Sequence, residues 1–149
     1  MNWQCLRFDQ LSNAQLYAVL AARQQVFVLE QQCLYEDMDG LDTSAHHLLG
    51  WSDGAEAPQL CAYLRILAPG VKFGEASLGR VLTTAAGRGT GAGRALLARG
   101  IAEAEVRYPG QGLRIGAQLY LEKFYASFGF VTVSVPYDED GIAHIDMLR

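Results

Sequence analysis

Cationic side chains are in the minority here: twelve lysines and arginines stand against sixteen aspartates and glutamates, for a formal net charge of −4. Proteins that grip nucleic acid or an anionic membrane surface carry a basic patch or stripe, and none is visible, so neither partner is expected. Cysteine is also sparse. Cys5, Cys33 and Cys61 are odd in number, far apart and form no C-x-x-C pair, which argues against a disulfide framework and a zinc site. Reduced thiols fit a cytoplasmic setting. No run approaches eighteen apolar residues, and Met1-Asn2-Trp3-Gln4-Cys5 does not lead from a basic region into an apolar one, so neither a spanning helix nor a secretory leader is expected. Linkers, repeats and low-complexity tracts are missing too. The 149 residues, half of them apolar, suit one domain over 1–149 with a core that needs no covalent staple.

What the chain does have is glycine at one place in quantity. Gly87, Gly89, Gly91 and Gly93 alternate within Gly87-Arg88-Gly89-Thr90-Gly91-Ala92-Gly93-Arg94. Backbone without Cβ atoms can turn sharply and bring N–H groups close to a ligand. A helix pattern follows at once, and a helix N-terminus adds unpaired donors and partial positive charge. The stretch reads either as a plain turn or as a phosphate site. Of the rival nucleotide loops, the Walker type lacks its Gly-Lys-Ser/Thr. The dinucleotide type lacks an acid about twenty residues on, where Leu113, Arg114 and Ile115 stand instead.

Along the chain, Trp3 to Phe8 alternates as a strand. Ser12 with Gln15 forms a capping-box signature that opens a helix, with Leu16, Val19, Leu20, Val26 and Phe27 as its apolar stripe. Helical spacing places Arg23 and Glu30 on that stripe. Two readings compete: a structural ion pair, with each other or with acids such as Glu36, or a polar cleft lined by the end of the helix. Four acids then fall between Glu36 and Asp42. The run fails as a calcium loop, leaving a solvated acidic loop or carboxylates (Glu36, Asp37, Asp39) that hold a cationic amine.

His46 to Trp51, Leu60 to Leu67 and Ala76 to Thr84 read as strands, with His46 and His47 on opposite faces. Ala92 to Tyr108 reads as a helix with a Glu103–Arg107 pair, and Leu113 to Ala117 as a short strand. Gln118 to Phe130 has Leu121, Phe124, Tyr125 and Phe128 at helical spacing and Gly129 at the cap. Periodicity alone makes Tyr125 a core tyrosine with its hydroxyl at the edge. Val131 to Val135 and Ile142 to Leu148, joined through Asp140-Gly141, read as a terminal hairpin.

Two of these strings carry a family resemblance. Arg88-x-x-Gly91-x-Gly93 with Leu96-Leu97 resembles the acetyl-CoA loop of the GNAT N-acetyltransferase superfamily. Phe124-Tyr125-x-x-Phe128-Gly129-Phe130 resembles the segment that carries its catalytic tyrosine. Arg23-x-x-Val26-Phe27-Val28-x-Glu30-Gln31, followed by Cys33, Tyr35, Asp37, Asp39 and Asp42, is similar to the start of its ElaA-like branch. The resemblance implies an α/β (α+β) fold with a mixed, mostly antiparallel twisted sheet, helices on both faces and a splayed central parallel strand pair. It also implies acetyl transfer from acetyl-CoA to a primary amine, of a small molecule or a peptide, by direct attack, without a metal. In that reading Tyr125 is the general acid and Glu30, or an acid from Glu36 to Asp39, the base, and a backbone N–H near Leu82 or Thr83 meets the charge on the carbonyl. The loop from Arg88 to Arg94, including Gly89, Thr90, Gly91, Ala92 and Gly93, holds the diphosphate. Gln118, standing where the superfamily often has asparagine, meets the pantetheine arm, and Arg23, Glu36, Asp37 and Asp39 serve the acceptor. A homodimer is compatible with all of this. A non-catalytic acyl-CoA-binding domain is the competing reading.

Overall fold

Every residue from Leu60 to Leu67 is buried, so both faces of that strand must be covered. The computed structural model, which describes residues 1–54 and 56–149, shows what covers them. Its elements are β1 (Asn2–Arg7), α1 (Asn13–Arg23), β2 (His46–Trp51), β3 (Leu60–Leu67), β4 (Ala76–Thr83), α2 (Ala92–Arg107), β5 (Leu113–Gln118), α3 (Glu122–Ala126), β6 (Val131–Thr132), β7 (Tyr137–Glu139) and β8 (Ile142–Leu148). Alternation along β3 sends Ala62, Leu64 and Ile66 to one face, where they pack with Leu96, Leu97 and Ile101 of α2. Tyr63 goes to the other face and, with Leu49 and Leu82, meets Val19 of α1.

The strands form one sheet in the order β1-β2-β3-β4-β5-β8-β6, with β7 also paired to β8. Neighbours are antiparallel except β4 and β5, which run parallel. Tyr125 and Phe130 join the core on the α2 face. This is the expected class: a mixed, mostly antiparallel sheet with helices on both faces.

The parallel pair is short. Only Ala76↔Leu113 and Ser77↔Arg114 are in register. Just beyond, the pairing of β4 with β3 shifts from Arg65↔Gly79 to Tyr63↔Leu82, so Arg80 and Val81 together face Leu64. The extra residue is a β-bulge, with Arg80 in the left-handed region at φ 53°. A bulge bends its strand, and past this bend β4 and β5 part.

Three elements depart from the sequence reading. The capping box is present, with Gln15 N–H donating to Ser12 Oγ at 3.1 Å and Ser12 N–H to Gln15 Oε1 at 2.9 Å. The helix does not run on in α form, however: Gln24–Glu30 is a π-helix. Its i→i+5 winding breaks the 100° spacing, so Arg23 and Glu30 do not share a face; Arg23 is fully buried and Glu30 exposed. Gln118 belongs to β5, and a 3-10 turn at Leu119–Leu121 precedes a short α3. The tight turn is closed by β7 and β8, while Val131 to Val135 still pairs antiparallel with β8, through Val131↔Leu148 and Thr132↔Met147 and a Val133 N–H bond to Asp146 O at 2.9 Å. Ser134 Oγ takes the Asp146 N–H at 2.8 Å, and Pro136 has no N–H to continue a ladder.

Candidate active site

Where β4 and β5 separate, a cleft of about 890 Å³ opens. β4 lines it from Leu78 to Thr83, β5 through Ile115, Gly116 and Gln118, the π-helix through Phe27 and Glu30, and α3 through Phe124 and Tyr125. Arg88 and Gly93 bring the glycine loop to the same space.

The loop is built as its composition demands. Gly89 and Gly91 have φ of 73° and 81°, which residues with a Cβ rarely adopt. The N–H groups of Gly87 and Arg88 both donate to Thr84 O, at 2.9 and 3.1 Å, and Ala95 N–H donates to Gly91 O at 3.1 Å. Between them, the N–H groups of residues 89–94 have no acceptor among the described residues. Six orphan donors at the start of a sixteen-residue helix make a cradle for an anion. Thr90 Oγ1 is turned back onto Gly87 O at 2.6 Å. Arg94 lies elsewhere, its guanidinium 4.7 Å from the Phe128 ring centroid and 3.4 Å from Ser127 Oγ. Arg88 donates to Glu30 Oε2 at 2.6 Å and to Thr83 O at 3.2 Å.

On β4, Thr84 N–H donates across to Cys61 O at 3.0 Å. Alternation along an antiparallel ladder then directs the Leu82 N–H toward Tyr63 and the Thr83 N–H toward the gap. Of the two strand donors named from the sequence, Thr83 is the one facing the cleft.

Tyr125 is 6 % exposed, packed edge-on against Phe124 and Phe130 with centroids 5.3 and 6.0 Å away. Its hydroxyl has no hydrogen-bond partner among the described residues, and burial pushes its pKa up to about 12. At neutral pH it is a phenol able to donate a proton. Gln118 Nε2 donates to Gln31 Oε1 at 3.3 Å across the cleft wall.

The acidic run is mostly committed to the protein itself. Arg23 Nε binds Asp37 Oδ2 at 2.7 Å and its Nη1 binds Asp42 Oδ1 at 2.7 Å. Arg65 binds Asp42 Oδ1 at 2.9 Å and grips both oxygens of Asp39. Arg80 Nε lies 2.8 Å from Asp37 Oδ1, with Tyr35 stacked beside it and donating its hydroxyl to the same oxygen at 2.7 Å. Three arginines thus balance three aspartates. Burial alone would raise the Asp39 and Asp42 carboxyls, but hydrogen bonds and charge from Arg65, and from Arg23 on Asp42, hold both below the usual range. His47 joins underneath, donating from Nε2 to Asp42 O at 2.9 Å and accepting from the Tyr63 hydroxyl at 2.8 Å. Burial depresses its pKa, so it is neutral.

Arg23 and Asp37 therefore do not line the cleft. The ion-pair reading of Arg23 holds, with Asp37 and Asp42 as its partners in place of Glu36 or Glu30, because its guanidinium is fully buried and must be neutralised locally. Asp39 reaches the cleft with its oxygens already paired. Glu36 reaches it exposed and without an ion-pair partner among the described residues. The sequence reading passed over Arg65 and Arg80. An arginine inside the otherwise apolar run Leu60 to Leu67 was the available signal, since a buried cation requires an acid. His144 also lines the cleft, its Nδ1 donating to Ile142 O at 2.7 Å and its Nε2 3.5 Å from Glu139.

Comparison with known proteins agrees with this architecture. The model of the acetyltransferase (GNAT) domain matches residues 8–149. A UPF0039 protein of Synechocystis is 47% identical over 99% of this chain and 94% of its own length. The crystal structure of an acyl-CoA N-acyltransferase from Pseudomonas aeruginosa superposes with a TM-score of 0.91 at 40% identity, covering 100% of this chain and 99% of that one. That of Escherichia coli ElaA gives 0.90 at 40% identity, covering 99% and 98%. A strand pair that splays beside a glycine-rich helix start, and sequence kinship across nearly the whole chain, place this protein in the GNAT acetyltransferase family, with ElaA among its relatives.

Proposed function

We propose that the protein is an N-acyltransferase that moves the acetyl group of acetyl-CoA to a primary amine by direct attack. The observation that carries this reading is that the loop of unclaimed amides at 89–94 reaches, through Gly93, the cleft that Tyr125, with its unpartnered hydroxyl, also lines. The amides suit the coenzyme's diphosphate, and Arg88 adds charge beside them. The gap between β4 and β5 takes the pantetheine arm, with Gln118 on its wall.

An amine attacks only when neutral, and a free alkyl ammonium has a pKa near 10, so a proton must be removed. Glu30 is assigned as the acceptor of that proton. Attack forms the C–N bond, the Thr83 N–H meets the negative charge growing on the carbonyl oxygen, and the C–S bond breaks. Tyr125 gives its proton to the departing thiolate, and the extra proton on the newly bonded nitrogen is lost through water to restore the phenol. Glu36 is assigned to the acceptor side, while Arg23, Asp37 and Asp39 hold the loop that carries it.

Thiol release from acetyl-CoA in the presence of a panel of amines tests the proposal. Tyr125→Phe is expected to lower turnover by about 10²–10⁴, the range for general acid catalysis, with CoA affinity retained. A protein that binds CoA but releases no thiol with any amine class would instead be an acyl-CoA-binding domain.

A further inference from the structure

Arg88 belongs to the glycine loop and Glu30 to the π-helix, fifty-eight residues apart in sequence, yet they meet at 2.6 Å and both line the cleft. The same Arg88 nitrogen also donates to Thr83 O at the end of β4. One guanidinium therefore ties together the loop assigned to the diphosphate, the strand donor and the carboxylate assigned as base. The pair is partly open to solvent, with side chains 46 % and 33 % exposed. Such pairs are weak and exchange readily.

We infer that the Arg88–Glu30 ion pair is a latch that coenzyme binding opens, so that Glu30 is released to the acceptor amine only once the diphosphate has taken over Arg88. The inference rests on the coenzyme reading above. A diphosphate seated on the orphan amides lies beside Arg88 and offers it more negative charge than one carboxylate. Arg88 turns to it, and Glu30 loses its counter-ion next to an anion that repels it. That carboxylate is then free to pair with a cation entering the cleft, which is what an alkylammonium acceptor is before it gives up its proton. Until coenzyme arrives, the carboxylate is occupied and the amine has no reason to stay. Such coupling is reciprocal: Glu30 must also weaken coenzyme binding by holding Arg88 back.

That reciprocity gives a test that does not depend on turnover. CoA is titrated calorimetrically into the wild-type protein, Glu30→Gln, Arg88→Gln and the double variant, each first shown to unfold cooperatively. Glu30→Gln should bind CoA about two- to fivefold more tightly, the range set by a half-exposed ion pair. Arg88→Gln should bind more weakly, and in its background the gain from Glu30→Gln should be clearly smaller, since only the repulsion between carboxylate and diphosphate is left to relieve. An unchanged or weaker affinity for Glu30→Gln overturns the latch. So does an equal gain in both backgrounds, which would mark a general charge effect. A folded wild-type protein that binds no CoA overturns the coenzyme reading itself, and the latch with it.

Discussion

A single methyl group added at Gly87 would sit 2.2 Å from Cys61 O and 2.8 Å from Cys61 C, both main-chain atoms of β3. Neither can move without shifting the strand, so Gly87→Ala is expected to destabilise the fold by about 1–3 kcal/mol. The check is a lower unfolding midpoint together with weaker CoA binding, because the amides that follow would be displaced. The glycine spacing did announce close approach in this loop. It did not announce that the group approached at Gly87 is the protein's own backbone rather than a ligand. At Tyr125 the core reading holds: the ring is buried in the core, and the residue also lines the cleft.

The element most dependent on distant partners is the segment from Tyr35 to Asp42, which is held to β3 and β4 through Arg65 and Arg80. Removing Arg65 leaves Asp39 and Asp42 short of a counter-ion in a desolvated place, and breaking such a buried pair costs about 3–5 kcal/mol. Arg65→Ala is therefore expected to lower the urea midpoint far more than truncation of an exposed arginine such as Arg7, both read by denaturant unfolding. The acidic run itself was legible, and its role was not. Composition says that carboxylates cluster between Glu36 and Asp42; it cannot say that arginines from fourteen or more residues away will claim three of them. The helix carrying Arg23 and Glu30 shows the same limit. Its start was written in Ser12 and Gln15, whereas no local pattern marks its change to a π-helix.

For the molecule as a whole, the titrating groups fix the direction of its pH response. Burial, first of all, holds the folded-state pKa of His47 and His46 below the ordinary value. The unfolded chain therefore binds protons below about pH 6.5 that the folded chain refuses. That contribution to stability is full above about pH 6.5 and is lost as pH falls through the folded value. Asp39 and Asp42, also depressed when folded, add a second decline below about pH 4, where unfolded carboxylates protonate first. Urea midpoints should accordingly be flat above pH 7, lower at pH 5.5 and lower again at pH 3.5. His47→Gln is expected to shrink the first step, with His46 keeping part of it, and to leave the second intact.

By itself the sequence determined most of the succession of strands and helices, the capped start of α1 and the glycine-rich loop, because each rests on patterns that repeat or close within a few residues, while the fold class came with the family resemblance. The tertiary structure alone decided where β4 bends away from β5, which arginine neutralises which aspartate, and that Glu30 meets Arg88. Those outcomes join residues as much as fifty-eight positions apart, and the buried pairings among them are settled by the need to neutralise charge within one packed interior, which no local pattern records.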